Sequence, residues 1–113
     1  MLPSKYRLKK RIDFARSEID GKLFQSKNFG VNIFDRKDSD NSRFAFIIST
    51  KISKKAVVRN KIRRIMSDII RLNLDKIKTG LDVVFLVKPT ILKSHRKEIE
   101  DETLKTIASN LQK

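Results

Sequence analysis

The stretch KKAVVRNKIRRIMSDIIR, Lys54 to Arg71, sets six cationic side chains among its first eleven positions, yet threads an apolar residue through nearly every turn. At 100° per residue, Val58, Ile62, Ile65, Met66, Ile69 and Leu72 fall within one sector less than about 130° wide, which predicts an amphipathic helix running to about Asn73. That stripe requires a core to bury it. The opposite sector carries Asn60, Arg63, Arg64, Ser67 and Arg71, with Arg59 and Lys61 at its margins, and is too charged to pack. Solvated helix faces ordinarily mix both signs. Here Lys51, Lys54, Lys55, Arg59, Lys61, Arg63, Arg64 and Arg71 are opposed, between residues 51 and 71, by Asp68 alone. An excess of that kind implies an anionic partner.

The whole chain of 113 residues carries a formal charge of +14 and a pI near 10.4, for which nucleic acid is the first partner to consider and an anionic membrane surface the second. The length suits one domain, residues 1–113, with one modest core. Residues 1–16 contribute +5 and residues 51–71 contribute +7, so two short segments hold +12 of the +14. They form one footprint if the fold makes them adjacent and two contacts if it does not. The absence of cysteine rules out disulfides and thiolate metal sites and fits a reducing cytoplasm. The start, MLPSKYRLKKR, has no apolar signal region, and no apolar run approaches a membrane span. A soluble, cytoplasmic protein with no membrane partner is expected.

Working outward from the basic helix, residues Ile12 to Ile19 predict a short helix after a basic, extended lead-in. KNFGVNIFD, Lys27 to Asp35, alternates like a strand, and RFAFIIST, Arg43 to Thr50, reads as a second one. The polar turn RKDSDNS between them suggests a hairpin. Asp82 to Val87 form a nearly continuous apolar strand, stopped by Pro89. A last helix is expected to start near Ser94 as N-cap and to bury Ile99, Leu104, Ile107, Ala108 and Leu111. The order helix, strand, strand, helix, strand, helix predicts an α+β fold, one sheet backed by helices, with the basic helix docked by its stripe and its cations held outward.

Enzyme chemistry finds little support in these residues. His95 is the only histidine and reads as a surface residue of a first turn. The glycines, Gly21, Gly30 and Gly80, are too dispersed for a phosphate-cradling loop. Glu98, Glu100, Asp101 and Glu102 suit the start of a helix better than a metal site. No nucleophile has its base beside it, so no catalytic residue is assigned. RNA binding fits better, because Phe14, Phe29, Phe34, Phe44 and Phe46 lie near the basic segments and aromatics beside cations can stack unpaired bases. Most of these rings belong to the core; Phe14, next to LKKR, is the best exception.

AVVRNKIRR, Ala56 to Arg64, resembles the arginine- and asparagine-rich motif of the bacterial ribonuclease P protein subunit, and LPSKYRLKKRIDF, Leu2 to Phe14, resembles the N-terminal signature of that family. The likeness covers essentially the whole chain, and two separated motifs at matching spacing make it specific. It implies a two-layer α+β sandwich with a left-handed βαβ crossover, otherwise rare among parallel connections. It also implies that a catalytic RNA, using magnesium ions, removes the 5′ leader of precursor tRNA by hydrolysis, that the protein supplies no catalytic side chain and holds no cofactor tightly, and that RNA rather than DNA is its partner. Carried onto this chain, Arg59, Asn60, Lys61, Arg63 and Arg64 would contact the RNA subunit, with Lys51, Lys54 and Lys55 on phosphates just before them. Arg7, Lys9, Lys10, Arg11, Phe14 and Asn32 would form the substrate-leader site, in a cleft between the first helix and the sheet. The resemblance assigns no metal position on the protein.

The chain departs from the family where it has Glu18 in place of a frequent aromatic and Asn32 in place of a common strand tyrosine, which reduces the stacking surface. Leader recognition would then rest more on Asn32 hydrogen bonds and on phosphate contacts. A ribosomal protein or general RNA-binding module would share the charge pattern without needing both motifs. A DNA-binding helix-turn-helix would need a helix just before the basic one, where the sequence places the strand RFAFIIST.

Overall fold

The computed structural model describes residues 2–113. In chain order these form α1 (Arg11–Asp20), β1 (Lys22–Gln25), β2 (Phe29–Asp35), β3 (Arg43–Ile47), α2 (Ala56–Leu72), β4 (Leu81–Val87) and α3 (Arg96–Thr106), which a π-helical turn over Ile107–Leu111 extends. Leu81, Val83, Val84 and Phe85 are each at most 5% exposed, and so apolar a strand takes the centre of the sheet. The strand order is β1-β2-β4-β3, with β2 antiparallel and β3 parallel to β4. The parallel pair is joined through α2, giving a βαβ crossover.

Successive strand residues face opposite ways, and the two faces are covered differently. One face presents Phe29, Val31, Phe44, Val83 and Phe85 to Ile62, Ile65, Met66, Ile69 and Ile70 of α2 and to Ile99 of α3, and this is the core. The Phe85 ring meets Phe29 edge-on at 5.4 Å and stacks on Phe46 at 5.2 Å. Against the other face lies α1, whose buried residues are Asp13 and Ser17, while Ile12 and Ile19 are 74% and 80% exposed. Ion pairs rather than apolar packing therefore dock this helix. Asp82, with no exposed surface, accepts from Arg43 Nε at 2.8 Å and Nη2 at 2.9 Å, from Arg16 at 3.4 Å and from Arg36. Asp13 joins the same network through Arg43 at 3.1 Å and Arg16 at 3.1 Å. The hydrogen bond to Asp82 raises the Arg43 guanidinium above its ordinary range against the opposing effect of burial. Burial likewise pulls Arg36 down, but its bonds to Asp38 and Asp82 win and raise it.

Several expectations are corrected. The segments 27–35 and 43–50 are strands, trimmed to β2 and β3, but they are not a hairpin: β4 lies between them. The polar residues after β2 wrap back instead, where Arg36 donates to Leu81 O at 3.0 Å and Gly80 N to Asp40 O at 2.8 Å. Gly80 has φ of 81°, and a Cβ there would stand 2.4 Å from Asp38 O, so this return path requires glycine. The short β1, whose four residues all fall on the exposed side, has no counterpart among the strands expected from the sequence. On α2, Leu72 is 65% exposed and fully buried Ile70 fills the core beside Ile69; Ser67, expected outside, is buried with its hydroxyl on Arg64 O at 3.2 Å. The cap of α3 is His95, one residue later than Ser94. Leu104 and Ala108 point to solvent, and Thr103 and Thr106 face inward, tolerated because each hydroxyl donates to the carbonyl one turn back, at 2.8 Å and 3.0 Å.

Candidate RNA interface

The cationic face of α2 is open. Asn60, Lys61 and Arg64 are exposed, Arg59 and Arg63 half-buried, and Lys51, Lys54 and Lys55 project from the preceding loop. Two hydrogen bonds set this surface in place. Arg59 Nη1 donates to Ser53 O at 2.8 Å, tying the loop to the helix, and Arg63 Nη1 donates to Asn60 Oδ1 at 2.8 Å, one turn apart along the face. The apolar stripe fixes the rotation of the helix, so its cations form a pre-oriented row rather than a mobile tail.

The N-terminal segment reaches the same neighbourhood. Leu8 N donates to Phe44 O at 2.9 Å, and Arg7 bridges Phe44 in parallel register, which lays residues 7–9 along the free edge of β3. A concavity of about 380 Å³ opens there, walled by Arg7, Lys9, Phe14, Ala45, Ile47 and Arg63. It contains no acidic residue. Its floor is apolar and its rim cationic, the composition that suits an unpaired base with its phosphates. Phe14 is half-buried and Ile47 is 43% exposed, so neither is sealed in the core.

This geometry joins residues that the sequence kept apart. Arg63, expected on the RNA-subunit face, lines one pocket with Arg7, Lys9 and Phe14, expected on the substrate side. The two basic segments meet at this pocket. Lys10 instead faces a separate, larger concavity of about 690 Å³ beside Arg36, Arg43, Asp13, Asp38 and Asp40, where charges of both signs meet. Arg11 is exposed on the first turn of α1. Asn32 does not line the pocket of Phe14: its Oδ1 is buried without a hydrogen-bond partner close beneath Gly21, where a Cβ would approach it to 2.0 Å. That oxygen is not presented to solvent as a free acceptor. Among the described residues, no three His, Cys, Asp or Glu side chains are grouped to hold a metal ion.

Sequence reasoning missed Ala45 and Ile47 as pocket floor and Arg43 and Asp82 as the anchor of α1. The signal was present in the alternation of β3, which sends Arg43, Ala45 and Ile47 to the face opposite Phe44 and Phe46.

Comparisons with known proteins agree with this architecture. Residues 2–110 match the family model described as Ribonuclease P. The ribonuclease P protein component of Clostridioides difficile is 38% identical over 101 residues, covering 88% of this chain and 86% of the relative. That of a Pseudanabaena strain is 31% identical over 108 residues, covering 96% and 93%. The solved RNase P protein of Staphylococcus aureus superposes with a TM-score of 0.83 at 26% identity, covering 95% of this chain and 98% of that one. A small basic α+β protein with an RNA-binding composition is thus given its place: the chain belongs to the ribonuclease P protein family.

Proposed function

We propose that this protein binds the catalytic RNA of ribonuclease P through the outer face of α2 and the loop before it, and the 5′ leader of precursor tRNA through the pocket around Phe14. The observation that carries this reading is the shared pocket, in which Phe14, Arg7 and Lys9 meet Arg63 at the end of the α2 cationic row. A leader lying there would touch the protein on one side and the RNA subunit on the other. Endonucleolytic cleavage itself belongs to the RNA subunit, and the protein acts by holding two RNAs in register and neutralising phosphates near the cleavage point. In this reading the magnesium ions that cleavage requires act with the RNA subunit, and no metal position is assigned on the protein. No described helix is long and apolar enough to cross a membrane, and the proposed site of action is the cytoplasm.

The test is reconstitution. At low magnesium, the protein added to its own ribonuclease P RNA should raise the rate of precursor tRNA cleavage, while the protein alone should cleave nothing above buffer. Preference for ribosomal RNA over the ribonuclease P RNA would overturn the assignment of partner. Within the reconstituted complex, Phe14→Ala should weaken precursor tRNA by about 1 to 3 kcal/mol and leave mature tRNA unchanged. Equal weakening of both tRNAs would remove Phe14 from the leader site.

A further inference from the structure

Beyond the row of cations, the N-terminal half of α2 has an apolar flank that nothing in the fold covers. Val57 is 80% exposed although it sits in a helix, and Leu92, on the turn leading to α3, is 49% exposed. Between them runs a groove of about 390 Å³ floored by Ile62, Ile65 and Ile91. A second concavity of about 390 Å³ adjoins it and shares Val57, Lys61, Ile65 and Arg96 as walls. This one has a cationic rim over an apolar base of Val57 and Ile65, closed by Asn60, Lys61 and Arg64 from α2 and by Arg96 from the first turn of α3. Val57, Lys61 and Arg64 recur at i, i+4 and i+7, so a single helical stripe serves both.

The charges here are available. Lys61 and Arg64 make no ion pair among the described residues, and Arg96 engages Glu100 only through Nε, at 3.5 Å on an exposed flank. Neither concavity has an acidic wall. Each volume is within the range of small-ligand pockets. An apolar slot beside a cationic one matches a nucleotide, whose base is uncharged and flat and whose phosphate is anionic.

We infer that this double pocket takes one unpaired nucleotide of the RNA subunit, its base against Val57 and Leu92 and its phosphate against Lys61, Arg64 and Arg96. The inference rests on the reading of α2 as the RNA-subunit face and extends it to α3, which neither RNA contact described above includes. It also explains why an exposed valine stands in the most basic helix of the chain. Splayed, unstacked bases are the part of a folded RNA that a protein can read, and the helical row alone reaches phosphates only.

The experiment uses the reconstituted RNA-protein complex. Dimethyl sulfate modification of the RNA subunit should show an unpaired base that the protein protects. Leu92→Ser and Val57→Gln, both at exposed positions, should restore its reactivity and weaken RNA affinity about tenfold, with the salt dependence unchanged. Arg96→Ala should flatten the slope of log affinity against log salt by about 0.7 to 0.9. If Leu92→Ser and Val57→Gln leave footprint and affinity as they were while Arg63→Ala weakens binding, the pocket is empty in the complex and the inference fails, with α2 still the RNA face. If Arg63→Ala is also without effect, the reading of α2 itself has failed. A gain in solubility of Leu92→Ser with loss of binding to another protein, and no change toward RNA, would assign the groove to that protein and overturn the inference.

Discussion

Asp82 has no exposed surface, so its charge is balanced by the guanidinium groups around it rather than by water. Desolvating a carboxylate costs several kcal/mol, which only well-aligned partners offset. Asp82→Ala should therefore destabilise the fold by roughly 3 to 5 kcal/mol, because it leaves Arg36 and Arg43 crowded without their counter-charge. Arg43→Lys should fail to substitute, since one ammonium cannot replace the paired Nε and Nη2 contacts. Urea titration checks both, and a midpoint unchanged in either variant would show that the network is not what docks α1. The alternation of β3 sets the face of Arg43, but its partner could not be read in the sequence: Asp82 begins an apolar run, and a polar residue there looks like the end of a strand. Only the register that sets Arg43 opposite Asp82 reveals the pair.

Elements differ in how far their sequences announce them. The helix α2 was legible because its apolar period and its one-sided charge agree, and β4 because its burial on both faces needs a continuous apolar run. The four-residue β1 had no such signal, as all of its side chains are exposed and none alternates with a buried one. The cations of the site were legible by charge alone, but the pocket uniting Phe14 with Arg63 depends on how α1, β3 and α2 meet. That union changes what single substitutions should do. Arg64→Ala should flatten the salt slope of RNA-subunit binding by about 0.7 to 0.9 and spare the leader. Arg63→Ala, which borders both, should flatten the slope for the RNA subunit and for precursor tRNA alike. Filter binding across a salt series separates them, and identical behaviour of the two variants would deny the shared pocket. At α3 the relevant variable is pH. The His95 backbone N–H donates to Glu98 at 2.9 Å and lowers that carboxyl below its ordinary value of 4.5. A group depressed on folding stabilises above its unfolded pKa and loses that contribution as pH falls through the folded one. The difference in thermal midpoint between the protein and Glu98→Ala should accordingly be full near neutrality and vanish below the ordinary carboxylate range. A difference that persists at acid pH would assign the effect to helix propensity instead.

For the molecule as a whole, the two faces of one sheet are held in different ways. The α2 and α3 side holds the hydrophobic core, and the α1 side is pinned by charges at one end while its β3 edge meets the N-terminal segment to form the pocket. Phe44 and Phe46 serve both, since they belong to the core side and also line the pocket. The pairing order has a temporal consequence. Synthesis delivers β2 and β3 before the strand that must stand between them, and neither has the other as a neighbour in the finished sheet. A nascent chain that has emerged only as far as Gly80 therefore has two half-apolar strands, a basic amphipathic helix and no centre to gather them. Such a fragment should remain unfolded by circular dichroism and amide exchange, and supplying residues 81–113 as a separate peptide should restore the sheet. A folded fragment ending at Gly80 would mean that β2 and β3 can pair directly. On a ribosome, where ribosomal RNA lies close to the exit, the unfolded interval leaves this chain's own cations exposed to the wrong polyanion until its last third is made.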